Sequence, residues 1–377
     1  MRAVGDAHVN LPEGFTPHKR LQQLLDRRHK MSVEGHIDWG FGEIIAFGSL
    51  LAQGVTVRLS GQDSKRGTFV QRHAAIVDSV TGRDYFPISA LASESGRLFI
   101  YDSLLSEFAA MGFEYGYSVE NPDALVMWEA QFGDFANGAQ SIVDEFVSSG
   151  EVKWGQRSAV TLLLPHSHEG QGPDHTSGRL ERYLQLCAED NMRVSVPTTP
   201  GNYFHLLRRQ ALSPKKKPLV VFTPKSLLRH RQAVSGTDEF TTGTFQPVLK
   251  DAGVSGDAVK RVLFCSGKVY YDLVQAREDR KITDTAIVRL EQLYPLPIEG
   301  VRDAIASYPN AEDYAWVQEE PANQGAWTFI ALNLLEHLEG VRLRRISRPS
   351  AAAPAVGSAN QHAAEQAALI EASLPRS

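Results

Sequence analysis

The stretch SAVTLLLP, residues 158–165, is short and almost wholly apolar. A strand with no polar face must be covered on both sides, which is the condition of a parallel sheet with helices on each face. The segments around it alternate in the way such a sheet requires. Residues 42–53, 103–116, 135–150, 180–190 and 201–212 read as helix, while 55–60, 124–132, 192–197 and 218–224 read as strand. Further along, 261–267, 285–293, 313–320 and 341–347 give four more strands with helices between them, and 359–374 a last helix. The fold class expected is α/β, with a mostly parallel sheet followed by a smaller α/β domain.

Four stretches follow from this pattern. Residues 1–35 form an arm, polar and basic, with a helical pattern only from His18 to His29; Pro12, Gly14 and Pro17 are expected to keep its start extended. Residues 36–230 form the first domain, 231–254 a linker poor in periodicity, and 255–377 the second domain. Length agrees: 377 residues suit two or three domains.

Charge excludes some functions. The net charge is -5, with both signs mixed along the chain, so no patch asks for nucleic acid. No apolar run is long enough for a membrane span, and the opening MRAVGDAHVNLPEG lacks the apolar core of a signal peptide. The two cysteines, Cys187 and Cys265, lie in apolar segments without metal spacing and read as buried thiols in a reducing compartment. A cytoplasmic protein is expected.

Chemistry is sought in loops at the carboxyl ends of the strands. In DWGFGEIIAFGSLLAQG, residues 38–54, a single carboxylate, Glu43, enters an apolar helix. It either answers the positive end of that helix or requires another donor, a ligand among the choices. The loop GQDSKRGTFVQRHA holds Asp63, Lys65, Arg66, Phe69, Arg72 and His73; Lys65 reads as a solvated charge, whereas His73 beside AAIV is a proton-exchanging candidate. In WEAQFGDFANG, Glu129 suggests a buried pair or interface group, and Asp134 a helix cap. The loop PHSHEGQGPDHTSGRLERY gathers His166, His168, Glu169, Asp174 and His175; its H-x-H-x6-H spacing matches no structural zinc pattern, so a polar substrate pocket is preferred and no metal ligand is assigned. A serine elbow, a Walker A loop and the full G-x-G-x-x-G fingerprint are all missing.

Several long blocks resemble one family. HIDWGFGEIIAFGSLLAQGVTVRLSGQDSKRGTFVQRHA, WEAQFGDFANGAQ, LLLPHSHEGQGPDHTSGRLERYLQL, EEPANQGAW and RRISRPSAAAPAVGS are similar to the E1 component of 2-oxoglutarate dehydrogenase, and PHSHEGQGPDHTS to its actinobacterial multifunctional type. The resemblance covers essentially the whole chain. It implies a transketolase-like pyrimidine-binding domain and C-terminal domain. It implies thiamine diphosphate with Mg2+ as cofactors, and oxidative decarboxylation of 2-oxoglutarate with transfer of the succinyl group to a lipoyl group. By motif, Glu43 is the glutamate that contacts N1′ of the aminopyrimidine, and His73 an active-site histidine. Arg66 and Arg72 are carried as substrate-binding or supporting residues, Phe69 as a ring that stacks on the cofactor, and His168 and His175 as further catalytic candidates, His175 also for substrate.

The G-D-G motif with its following asparagine, which holds Mg2+ and diphosphate in the family, does not occur here. The expectation is a C-terminal portion that needs an N-terminal half to hold diphosphate and metal. The partners implied are that half, a second copy in a homodimer and a lipoyl-bearing acyltransferase. The second domain's polar candidates, Lys268, Glu319, Glu320, Gln324, Arg345 and Arg348, are not expected to carry the central chemistry; the resemblance also implies that an acetyl-CoA effector can bind in this region, at no assigned residue. The alternatives are an E1 for pyruvate or another 2-oxo acid, and an inert structural subunit.

Overall fold

The computed structural model describes residues 1–375. Fourteen strands are seen there: β1 Val57–Gly61, β2 Ile76–Val77, β3 Asp84–Tyr85, β4 Leu98–Asp102, β5 Leu125–Glu129, β6 Thr161–Pro165, β7 Arg193–Ser195, β8 Leu219–Thr223, β9 Val248–Leu249, β10 Arg261–Cys265, β11 Thr285–Leu290, β12 Gln292–Tyr294, β13 Asp313–Pro321 and β14 Leu343–Arg348. One sheet runs β12-β7-β8-β6-β5-β1-β4 and a second runs β14-β13-β10-β11-β9; β2 and β3 pair as a small ribbon. The first sheet is parallel except for β12, and the second except for β9.

Strand β6 shows why its sequence is apolar throughout. Leu162 and Leu164 pack into one core with Trp128, Val220 and Phe222, while Leu163 enters the other with Ile44, Phe47, Met127 and Val221. Successive side chains of a strand point to opposite faces, so both faces are dry.

Three local expectations are corrected. Residues 2–9 are helical (α1, Arg2–Val9), not extended. α1 crosses a second helix, α2 (Lys19–Glu34), closely enough that a Cβ at Gly5 would lie 2.1 Å from Ser32 Oγ. Strand β4, over LFIYD, is not among the expected strands, yet it pairs with β1 along Val57–Gly61. The single strand expected over 285–293 breaks at Glu291: β11 stays in the second sheet, while β12 crosses to pair antiparallel with β7. Glu291 itself is fully buried and accepts from Thr198 N–H, Thr198 O–H and Asn202 Nδ2, which fixes the crossing point. The core containing Val194 and Val196 therefore continues through Leu290 and Leu293 to Trp316 of the second sheet.

Candidate active site

Helix α3 (Trp39–Ala52) starts where Asp38 caps it, accepting from Phe41 N–H at 2.9 Å. Glu43 falls beyond the first turn and is 3% exposed. The helix dipole is thus answered by Asp38, and Glu43 takes a different partner.

That partner is Arg72, 1% exposed. Its Nε donates to Glu43 Oε2 at 2.6 Å and its Nη2 to Glu43 Oε1 at 3.1 Å. The far edge of the guanidinium faces Glu129, with Nη1 donating to Oε2 at 2.6 Å and Nη2 to Oε1 at 2.7 Å. Nη1 also donates to the Ser64 carbonyl at 3.0 Å. A guanidinium has five N–H groups, and all five are now used. Arg72 therefore has no donor left for a substrate, and the substrate contact expected of it is not offered by this arrangement. Glu43 Oε1 accepts in addition from Tyr203 O–H at 2.9 Å. A carboxylate has about four acceptor positions; three on Glu43 are filled, and the open one is on Oε2. Between two carboxylates, Arg72 is held well above its ordinary pKa: burial opposes its charge, and Glu129 and Glu43 outweigh burial. Burial raises Glu129 despite Arg72, and raises the Tyr203 phenol well above its usual range.

The backbone makes this packing close. A Cβ at Gly40 would sit 2.2 Å from the Gln71 carbonyl oxygen, and one at Gly61 would sit 2.2 Å from that of Glu129. Only glycine lets α3, β1, β5 and the loop after β1 approach so nearly. That loop folds on itself, Arg72 and His73 N–H both donating to the Arg66 carbonyl at 2.9 Å. Asp63, Val70 and His73 take left-handed backbone angles, φ 56, 59 and 40°. For a β-branched residue such as Val70 this is an outlier, of the kind that concentrates at functional sites.

The arm reaches the same loop from beneath. Arg28 of α2 is buried and donates to the carbonyls of Gln71, Arg72 and His73. It also meets His8 Nε2 at 3.2 Å, so that nitrogen accepts and Nδ1 donates to the Val4 carbonyl. The arm thus packs on its own domain.

The other predicted residues separate into two groups. Phe69 is half-buried and meets Phe132 edge-on at 5.5 Å; Phe132 in turn meets His175 at 4.5 Å. A string of rings therefore joins the β1 loop to the histidine loop. His73 is half-buried, and burial, with Arg28, Arg66 and Arg229 nearby, lowers its pKa to about 4. Arg66 points outward, half its side chain exposed, beside Asp63 at 3.3 Å.

His166 and His168 turn instead to the seam between the two sheets. Gly178 N–H donates to His166 Nδ1, so Nε2 carries the proton and donates to Glu320 Oε1 at 2.9 Å. His168 is 1% exposed, its Nε2 3.1 Å from the Pro354 carbonyl. Burial lowers His168 to about 3, and its contacts are with the seam, not with Glu43. Lys268 and Glu319 pair there at 2.7 Å, and Arg348 donates to the Glu319 carbonyl. A small cavity of about 30 Å³ lies in this seam, lined by His166, Lys268, Gln318 and Glu320 among others. Asp134, expected as a cap, opens a 3-10 turn without a side-chain cap bond; burial raises it to about 6.

Sequence reasoning missed Tyr203 and Arg28. Tyr203 lies on the apolar face of the helix Pro200–Leu212 and stacks on Trp39 at 4.8 Å, a position that reads as ordinary core. Arg28 sits in a polar helix, where nothing local marks it for burial.

Residues 35–231, over half the chain, match the transketolase pyrimidine-binding domain. The chain belongs to that family. Residues 234–374 match the 2-oxoglutarate dehydrogenase C-terminal domain. The chain is 54% identical, over 98% of its length, to the multifunctional 2-oxoglutarate metabolism enzyme of Mycobacterium sp. (strain KMS). Identity is 53% to the enzymes of that name from Mycobacterium sp. (strain JLS) and Mycolicibacterium vanbaalenii, again over 98% of this chain. It spans about 30% of the length of these relatives. The resemblance drawn from the motif blocks therefore holds: the chain matches the C-terminal portion of a 2-oxoglutarate dehydrogenase-type protein, with a pyrimidine-binding domain of the thiamine diphosphate type. Among the described residues no helix is long and apolar enough to cross a membrane.

Proposed function

We propose that this chain supplies the aminopyrimidine side of a thiamine diphosphate site that decarboxylates 2-oxoglutarate and passes the succinyl group to a lipoyl group. The observation that carries this reading is Glu43: buried, fixed by Arg72 and Tyr203, and left with one open acceptor position on Oε2. That donor set fits an N–H of an aminopyrimidine. When bound, the cofactor supplies the nucleophile and the electron sink for decarboxylation. Glu43 would hold the ring through Oε2, where low dielectric strengthens the contact. Phe69, half-buried at the end of the ring string, would give the pyrimidine an aromatic neighbour. His73, neutral at pH 7 because its pKa lies near 4, would accept a hydrogen bond or proton beside the reacting centre. Arg66 has an exposed guanidinium that could meet the distal carboxylate of a five-carbon diacid. His175 would border the approach next to Phe132.

Diphosphate and Mg2+ would be held by a diphosphate-binding portion of the kind the longer relatives have room for, in a dimer that shares the site. The test is release of labelled CO2 from 2-oxoglutarate and from pyruvate, with thiamine diphosphate and Mg2+. It is run on the chain alone and with the remaining portion of a mycobacterial relative added. Turnover that favours 2-oxoglutarate by about tenfold or more supports the reading. Preference for pyruvate, or no turnover in either arrangement, overturns it.

A further inference from the structure

The second carboxylate on Arg72 is more than charge balance demands. Glu43 alone would neutralise the guanidinium, and a buried ion already loses several kcal/mol of hydration. Glu129 adds another buried charge at the carboxyl end of β5, where it gains no water: it is 6% exposed, and both its oxygens face Arg72. Replacing a whole buried ion group by apolar side chains is often neutral or stabilising, so a group that carries a second carboxylate calls for a use other than stability.

The two contacts with Arg72 differ in kind. Arg72 meets Glu43 side-on, through Nε and Nη2, and meets Glu129 end-on, through Nη1 and Nη2. The guanidinium is planar, so two contacts on its far edge fix the plane of the near edge. Glu129 is itself fixed: β5 pairs Glu129 with Gly61 of β1, and no Cβ at Gly61 pushes the strands apart. Resting on the reading that Glu43 meets the cofactor ring, we propose that Glu129 is a positioning residue. It holds the far edge of Arg72 so that the near edge presents Glu43 with one acceptor position of Oε2 open to a ligand donor.

The test begins without cofactor. The Arg72 Nε–H resonance, assigned by its loss in Arg72→Lys, is followed by NMR for exchange with solvent in the native chain and in Glu129→Gln. Glutamine keeps the size but offers one acceptor oxygen and turns an NH2 towards the guanidinium. Exchange faster by about tenfold or more is expected, with Glu129→Asp, which keeps the charge, falling between. In the turnover assay, Glu129→Gln should lower kcat by about 10–100-fold and leave KM for the 2-oxo acid within about threefold, because only the presentation of Glu43 has changed. Equal Arg72 protection in native and Glu129→Gln chains overturns the proposal. If Glu129→Gln does not fold, Glu129→Asp is read by the same exchange measurement, with faster exchange supporting the proposal and native protection overturning it. A native turnover number in Glu43→Gln would sink the cofactor reading instead, while the exchange result stood on its own.

Discussion

Arg72 donates every N–H it has inside the protein, and two carboxylates depend on it. Removing one member of a buried ion group leaves the others uncompensated, at about 3–5 kcal/mol. Arg72→Met should therefore lower the unfolding free energy by about that amount in a urea titration, because Glu43 and Glu129 would then face each other without a cation. A loss below about 1 kcal/mol would mean that the two carboxylates find other donors or protonate cheaply. At this scale Glu43 was legible in the sequence and its partners were not. A lone carboxylate in an apolar helix is a local anomaly that can be read from neighbours. The pairing of Glu43 with Tyr203, 160 residues away, is a product of tertiary packing, and a tyrosine on an apolar helix face carries no sign of it.

The loop after β1 is the element on which the site turns. Its left-handed residues cost of order 1–3 kcal/mol each, and persist only because the surroundings over-determine them. Arg28 from α2 and the glycine contact from α3 are those surroundings. Gly40→Ala drives a Cβ against the Gln71 carbonyl, a backbone atom that cannot turn aside. It should destabilise the chain by about 1–3 kcal/mol and speed amide exchange in residues 66–74. Native exchange there would show that α3 shifts instead of the loop. Helix α1 was not legible because its RAVGDAHV sequence is short and rich in small residues, which suit close helix crossing but give weak periodicity. The apolar strands β6 and β8 were legible because burial on both faces leaves no other composition open to them.

At the scale of the molecule, β12 ties the second domain into the first sheet, and one apolar core runs across both. A single calorimetric transition is expected, since the seam cannot open without removing an edge strand and exposing shared core. Two separable transitions would contradict that. The crossing was illegible because TAIVRLEQL, residues 285–293, reads as one strand, and the buried Glu291 at the break is, in sequence, one polar residue among Arg289 and Gln292.

The buried histidines make the fold acid-sensitive, while buried carboxylates such as Asp134, raised to about 6, work in the other direction. Burial lowers His8 to about 3, His73 to about 4 and His168 to about 3, against an ordinary 6.5. Below 6.5 the unfolded chain takes up protons that the folded chain refuses, so stability falls with pH from 6.5 to about 3. The melting temperature should be lower at pH 5 than at pH 7. His8→Gln, which can still donate to Val4 and accept from Arg28, should narrow that difference; an unchanged difference would remove His8 from the explanation.

Glu43 is proposed to serve a thiamine diphosphate site. The most direct test is release of CO2 from 2-oxoglutarate by Glu43→Gln beside the native sequence. Both are assembled with the diphosphate-binding portion and saturated with cofactor, and circular dichroism is used to match their folds. Matched spectra and turnover reduced by about 100-fold or more are expected. Turnover equal to the native chain, with the fold intact, would contradict it.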